Sequence, residues 1–296
     1  MSWLQLRLDT SPDQVEALET LMLATGAVAV TMEDNADQPV LEPGVGETPL
    51  WGQTRLTGLY PADTPMAGVL AAFPRALLQT ANQRVEILED KDWEREWMQH
   101  YSPMPFGKRL WVCPSWLEPP DPNAINLLLD PGLAFGTGTH PTTALCLGEL
   151  DGMALDGCCL VDYGCGSGIL AVAALKLGAT RALGVDNDPQ ALVATADNAG
   201  RNAILDGALE VALPGDYNQA DWSGQADLVI ANILAGPLAE LADTLLGLLK
   251  PGGTLLLSGL LNTQADALCA HYSDRISLHV AGEHEGWVCL RGTAPD

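Results

Sequence analysis

The sequence predicts an α/β protein, a doubly wound parallel sheet preceded by a smaller α+β region, and three observations carry that prediction. From Asn126 onward, apolar runs and helix-like stretches alternate with short connections, the pattern of parallel strands joined by crossover helices. Those runs are nearly continuous in Val, Ile and Leu, as strands buried on both faces are. Before Leu88 the texture differs: strand-like segments stand around one strong helix, and Pro and Gly punctuate the chain.

In order, Trp3-Leu4-Gln5-Leu6-Arg7-Leu8 alternates with period two, the mark of a half-buried strand. Thr10-Ser11-Pro12-Asp13 opens a helix with Pro in its first turn. Val15, Leu18, Leu21 and Met22 form its apolar face, and Gly26 ends it. Ala27 to Met32 is a second strand and Asn35 to Pro49 an acidic, exposed loop. Gln53 to Tyr60 and Val85 to Leu88 are further strands around a helix at Met66–Leu78. Asp92 to Met98 is helical, and Pro103, Pro105 and Pro114 follow, a composition that suits a connector between domains. A helix around Ala144–Leu150 precedes the sheet. Cys159–Tyr163 is then a strand, Ile169–Leu177 a helix stopped by Gly178, Arg181–Asp186 a strand and Pro189–Asn202 a helix. Strands at Leu209–Leu213, Asp227–Ile230, Thr254–Leu257, Ile276–Val280 and Trp287–Leu290 follow, with helices at Pro237–Leu249 and Thr263–Tyr272 among them. The expected organisation is an α+β domain over residues 1–90, a linker over 91–120 and an α/β domain over 121–296.

Composition bounds the function. The 296 residues carry 14 Lys and Arg against 38 Asp and Glu, a formal net charge of −24. Binding to a phosphate backbone draws on Lys and Arg, so no direct nucleic-acid partner is expected; a cationic partner matches this field better, although charge also maintains solubility. The 7 cysteines form no C-x-x-C pair and no even framework, which predicts a reducing compartment and no metal site. The start lacks a basic segment followed by a long apolar run, and the apolar stretch Leu228 to Leu261 is broken by Glu240, Asp243 and Lys250. No leader and no membrane span is expected, hence a cytoplasmic protein.

Four segments carry chemistry. Gly164-Cys165-Gly166-Ser167-Gly168 follows the first apolar strand of the α/β region, where glycines let a ligand approach the backbone. Its G-x-G-x-G spacing is one residue short of the dinucleotide fingerprint, which leaves both readings open. Asp186 closes the next strand, where a carboxylate accepts hydrogen bonds from both hydroxyls of a ribose; NAD and S-adenosylmethionine each present one. Asp188 is the better N-cap for the helix that follows. Asn232 ends the Asp227–Ile230 run in Ala231-Asn232-Ile233-Leu234-Ala235; its amide oxygen can accept from an amine, and Asn also favours turns. The fourth segment, Asp130 to Thr143, is rich in Gly and Thr. Phe135 within it can cover an aromatic group or a sulfonium cation, and His140 can serve catalysis or cap the helix at Pro141.

Together, the run from Asp130 to Thr143, the segment Asp162 to Leu170 and the segment Ala231 to Pro237 resemble the ribosomal protein L-eleven methyltransferase (PrmA) family. Asp92 to Trp97 and Pro103 to Gly107 resemble that family's linker. The resemblance implies a Rossmann-like, class I methyltransferase domain that binds S-adenosylmethionine, and a small N-terminal α+β domain that recognises a ribosomal protein of the large subunit. It implies that Thr143, Gly164, Gly166, Phe135, Asp186 and Asn232 bind the cofactor, with Asp186 on the ribose. It places Asn232 beside the reacting centre with the backbone of Leu234. The implied reaction is methyl transfer to lysine ε-amines or a chain-terminal α-amine, by a protein acting as a monomer. Methylation of another protein or a small molecule is the alternative, and an NAD-dependent oxidoreductase the second.

Overall fold

A computed structural model describes residues 3–36, 38, 49–88, 101–130 and 140–296. The chain divides into two units, Met1–Gln99 and His100–Asp296. The expected helix at Asp92–Met98, Phe135 and most of the acidic loop lie outside the described residues.

The first unit builds one antiparallel sheet from β1 (Trp3–Thr10), β2 (Ala29–Asp34), β3 (Thr54–Pro61) and β4 (Asn82–Leu88), in the order β2-β3-β1-β4. α1 (Pro12–Ala24) buries Val15, Leu18 and Met22, the positions its apolar spacing selects, against Leu6, Leu8, Leu56 and Tyr60. The Tyr60 hydroxyl donates to the Met22 carbonyl at 3.2 Å, so the one polar tip in this core is satisfied. The continuous helix expected at Met66–Leu78 is instead α2 (Met66–Ala71) and α3 (Arg75–Thr80). Pro74 between them has no N–H to continue the ladder and keeps the preceding residue out of the helical region.

The second unit holds a seven-stranded sheet in the order β10-β9-β8-β11-β12-β14-β13. Its strands are β8 (Cys159–Tyr163), β9 (Arg181–Val185), β10 (Leu209–Ala212), β11 (Ala226–Asn232), β12 (Leu249–Leu261), β13 (Leu278–His284) and β14 (Trp287–Thr293). Pairing from β10 through β12 is parallel, and β14 runs antiparallel to both its neighbours. Two cores flank the sheet. One face packs against α4 (Pro141–Gly152) and α5 (Ile169–Lys176) through Leu147, Leu150, Leu160 and Ile230. The other packs Val161, Val229, Leu255 and Leu257 against α8 (Ala235–Glu240), α9 (Ala242–Leu248) and α10 (Asn262–Tyr272). α6 (Pro189–Arg201) follows β9, and the short α7 (Gln219–Trp222) precedes β11.

A three-stranded sheet is formed by β5 (Met104–Phe106) and β6 (Leu110–Cys113), which fall within the stretch expected to be linker, and β7 (Ile125–Leu128) beyond it. Phe106, Leu110, Val112 and Leu127 are buried in the core beneath α4 and α5, and that apolar anchoring fixes residues 104–113 to the second unit. Asp151, at the end of α4, accepts the N–H groups of Lys108 (2.6 Å) and Arg109 (3.0 Å). Gly107 makes this turn with φ of +71°, and a Cβ there would sit 2.2 Å from the Asp151 carboxylate. Asn202, just past α6, holds β7 at both ends of one amide: its Oδ1 accepts the Leu128 N–H and its Nδ2 donates to the Leu128 carbonyl, each at 2.7 Å.

Candidate active site

The chain leaves β8 towards β9 and β10, then returns to β11 on the opposite side of β8. The crevice at the carboxyl ends of β8 and β11 is therefore the topological switch point, where ligands of open α/β sheets bind. Thr143, Gly164, Gly166, Asp186, Asn232 and Leu234 all come from segments that meet this edge or enter the helices rising from it.

The glycine loop is locked from three sides. Gly164, Gly166 and Gly168 have φ of +82°, +54° and +74°, values that L side chains resist. The Gly164 N–H donates to the Val185 carbonyl at 2.7 Å. Thr195 of α6 donates to the Gly166 carbonyl at 3.0 Å, and Asn198 donates to the Ser167 carbonyl at 2.8 Å. Asp186 joins this frame: one carboxylate oxygen accepts the Gly166 N–H at 2.8 Å and the other the Asp188 N–H at 3.0 Å. Asp188 caps α6 by accepting from Gln190 N–H at 2.8 Å. Asp186 is thus held in one orientation, and each carboxylate oxygen keeps acceptor capacity for a further donor.

Asn232 ends β11, and its Nδ2 donates to Thr143 Oγ1 at 3.3 Å. Thr143 lies in the first turn of α4 and is 1% exposed. This contact commits one of the two amide N–H groups and leaves the amide oxygen as an acceptor. His140 caps α4: its Nδ1 accepts the Thr142 N–H at 3.3 Å, and its ring lies edge-on to Trp287 at 4.9 Å. Burial lowers its pKa, opposed by the Glu285 charge, so the imidazole stays neutral and serves the helix start. Leu234 is the N-cap of α8, and its carbonyl accepts the Leu238 N–H at 3.1 Å. Its backbone oxygen is engaged in the helix, and its side chain is exposed.

Ile233 is the residue that sequence reasoning passed over. It is wedged between two glycines: a Cβ on Gly164 would lie 2.3 Å from its Cγ2, and a Cβ on Gly259, with φ of +90°, would lie 2.2 Å from its carbonyl oxygen. Asn232 pairs in register with Ser258, so Gly259 backs the segment that carries the candidate acceptor group. The signal in the sequence was a glycine breaking the apolar β12 run.

Asp162 is fully buried in β8. Its Oδ2 accepts the Ala171 N–H in the first turn of α5 at 3.1 Å, while its Oδ1 has no hydrogen-bond partner. Burial raises its pKa to about 7, against the Ala171 bond, and the Asp186 charge adds to the rise. The nearby Cys165 thiol is pushed up to about 12, first by burial, so it is no nucleophile. A cleft of 380 Å³ opens elsewhere, lined by residues at the starts of β8, β11 and β12. Its charges are already paired, Lys250 with Asp227 and Arg291 with Glu149. Among the described residues no cluster of His, Cys, Asp or Glu could hold a metal ion, and no helix is long and apolar enough to cross a membrane.

The residues fit S-adenosylmethionine. A loop whose Gly164, Gly166 and Gly168 carry no side chain and whose Cys165 and Ser167 are buried suits a close-lying methionine group, a fixed carboxylate suits the ribose, and the unpartnered buried carboxyl of Asp162, two residues before the loop, suits a cation. The strand order, with β14 as the one reversed strand, departs from the dinucleotide-binding order and defines a class I, Rossmann-like methyltransferase that uses S-adenosylmethionine.

The comparisons narrow this further. The family model described as ribosomal protein L11 methyltransferase (PrmA) matches residues 2–295, and the chain belongs to that family. It is 54% identical over 294 residues to the ribosomal protein L11 methyltransferase of Pectobacterium atrosepticum, covering 99% of this chain and 98% of that one. It is also 54% identical over 295 residues to that of Pseudomonas aeruginosa, with 99% and 98% covered. A crystal structure of ribosomal protein L11 methylase from Lactobacillus delbrueckii subsp. bulgaricus matches with a TM-score of 0.58 and 30% identity, covering 66% of this chain and 100% of that one.

Proposed function

We propose that this methyltransferase modifies lysine ε-amines, or the α-amine, of ribosomal protein L11 in the cytoplasm, as a monomer. The observation that supports the reading is the Asn232–Thr143 contact at the end of β11: with Nδ2 turned to Thr143, the amide oxygen is the group available to accept from an incoming N–H. The Gly164–Gly168 loop, Asp186 and, on the family resemblance alone, Phe135 hold the cofactor, which supplies an activated methyl on a sulfonium.

Alignment is the main demand on the protein. The acceptor amine must also be neutral: for a lysine of pKa ~10.4, deprotonation at pH 7 costs roughly 4–5 kcal/mol. Thr143 fixes the Asn232 amide, and Asn232 Oδ1 would orient the amine through one N–H, leaving its lone pair free for the methyl group that the cofactor would supply. His140 Nδ1 is committed to capping α4 and does not act as the base. Desolvation lowers the amine pKa, and the proton leaves through water. The N-terminal unit docks the substrate, and the charge of −24 speeds encounter with a basic ribosomal protein without choosing the target residue.

Tritiated methyl transfer from S-adenosylmethionine to isolated large-subunit proteins tests the reading: label on L11 supports it, and label elsewhere or nowhere refutes it. Asn232→Ala is expected to lower kcat about 100-fold, while the cofactor Kd, by calorimetry, changes less than threefold. Equal losses would make Asn232 a cofactor-binding residue only.

A further inference from the structure

The start of α4 carries Thr143, and one imidazole fastens it. Thr142, in the same first turn, is 1% exposed, so its N–H and hydroxyl have little water to turn to. His140 Nδ1 accepts the Thr142 N–H at 3.3 Å, and the Thr142 hydroxyl, 2.7 Å away, donates to the same atom. Trp287 backs the ring and is itself 8% exposed. It pairs in register with Leu261 at the end of β12. The β13–β14 hairpin that bears Trp287 is tied to the start of α10: the Asn262 N–H donates to the Gly286 carbonyl at 2.8 Å, and Asn262 Nδ2 to Glu283 at 3.1 Å. The hairpin also lies along α4, since a Cβ on Gly282 would sit 3.0 Å from Leu145 Cδ2. His140 thus pins α4 to this edge of the sheet, and three residues on Thr143 receives the Asn232 amide.

Only a neutral ring can do this. A protonated imidazole carries a donor on both nitrogens. It can still donate to the Thr142 hydroxyl oxygen, but the buried Thr142 N–H then loses its acceptor, which costs the full desolvation of that group. The cation would also stand at the positive end of the α4 dipole. Burial opposes the proton, and the Glu285 charge in the β13–β14 turn favours it. In the same hairpin, Glu283 is engaged by Asn262 and His284 lies 3.9 Å from Glu285. On α4 the first titratable side chains are Cys146 and Glu149, and residues 131–139 have none. Cys289 and Arg291 lie further along β14, with Arg291 paired to Glu149. Asp227, Lys250 and Lys176, on the other elements packed against α4, belong to the opposite edge of the sheet.

We propose that His140 is a positioning residue for methyl transfer: its neutral imidazole holds the first turn of α4, and with it Thr143 and Asn232, in the reacting arrangement, and uptake of a proton releases that turn and slows transfer. The inference rests on the reading that Asn232, held by Thr143, aligns the acceptor amine, and deepens it. His140 neither touches the amine nor takes its proton. The native arrangement binds a proton less readily than a free imidazole, so acid weakens it and a pH above about 6.5 restores it.

His140→Asn separates this role from a merely structural one, because asparagine caps a helix as well as any residue and does not titrate in this range. Single-turnover methyl transfer to isolated L11, with saturating donor and substrate, is measured on the full chain from pH 8 to pH 5.5. Titration of the acceptor amine cancels when the wild-type rate is divided by that of His140→Asn. The ratio is expected to stay within about threefold of one at pH 8 and to fall a further three- to sixfold, roughly, by pH 5.5. Amide hydrogen exchange at Thr142 gives a readout without cofactor or substrate. The wild type should exchange about three- to sixfold faster than His140→Asn at pH 5.5 and at a similar rate at pH 8. His140→Ala, with no acceptor, should exchange about fivefold faster than His140→Asn at every pH. A ratio independent of pH overturns the proposal, and so does a His140→Asn protein as impaired at pH 8 as His140→Ala. Should His140→Asn not fold, wild-type exchange at Thr142 set against that at Leu170 decides, and parallel profiles overturn the proposal. Absence of any transfer to L11 by the wild type overturns the substrate reading instead, and the exchange data then decide the fastening of α4 by themselves.

Discussion

Gly259→Ala tests whether the backbone behind Asn232 is held in place sterically. The residue has φ of +90°, and an added Cβ would lie 2.2 Å from the Ile233 carbonyl oxygen, 2.7 Å from its carbon and 2.9 Å from its nitrogen. Carbon atoms in contact sit about 3.5–4 Å apart, so the Ile233 peptide must retreat by about 1 Å. The obstacle is main chain, which cannot rotate away as a side-chain tip can. Left-handed backbone in a residue with a Cβ costs about 1–2 kcal/mol, which for a domain of this size lowers Tm by roughly 2–8 °C. The larger effect falls on catalysis, because Ile233 adjoins Asn232 and a displacement near 1 Å costs about 100-fold in rate. Single-turnover methyl transfer with saturating donor, calorimetric donor binding and thermal unfolding together measure it. The expected result is a kcat about 100-fold down with donor Kd changed only a few-fold. A folded Gly259→Ala protein with kcat within threefold of wild type would refute the argument.

Gly164→Ala meets the Ile233 side chain, so adding Ile233→Ala should recover part of the lost activity, whereas the same change should not rescue Gly259→Ala; assays of the two double variants separate them. For Asp162 the folded pKa of about 7 lies above the unfolded value near 3.8. The native state therefore binds more protons between these values, and stability falls as pH rises from about 4 to 7. Asp162→Asn removes that loss and should gain on the wild type by roughly 3–5 kcal/mol between pH 4 and pH 8, read from urea unfolding at each pH. Raising the salt from 50 to 500 mM should lower kcat/KM for a basic ribosomal substrate several-fold through the on-rate; a flat response would assign the acidic surface to solubility.

The parts of this molecule legible in its sequence are those written locally. Cys159–Tyr163 is the strand that its apolar run announces, and Pro189 with Asp188 marks the start of α6 where helix chemistry requires. The glycine loop and Asp186 were legible because their backbone demands and strand-end position are local too. What escaped depends on partners far along the chain. Pro103, Pro105 and Pro114 suit a connector, and nothing local announces that Pro105 lies in the three-residue β5, paired with β6, an edge position that tolerates proline. The expected helix at Pro237–Leu249 splits at Leu241 into α8 and α9. The grip of Gly259 on Ile233 arises from β11–β12 register, and no periodicity within either strand reports it. Reversal of β14 is likewise a property of the assembled sheet.

The Asn202 amide that grips Leu128 also sets a clock. The two residues are 74 apart in the chain, and a ribosome adding about 5–20 residues per second makes the second roughly 4–15 s after the first. Through that interval β7, an edge strand of its sheet, has emerged without the side chain that satisfies its last peptide group. A newborn chain thus passes through a window in which this edge is open to wrong pairing, and the window closes only when the end of α6 leaves the tunnel. An enzyme that acts on a component of the ribosome would depend, for its own completion, on how fast ribosomes run.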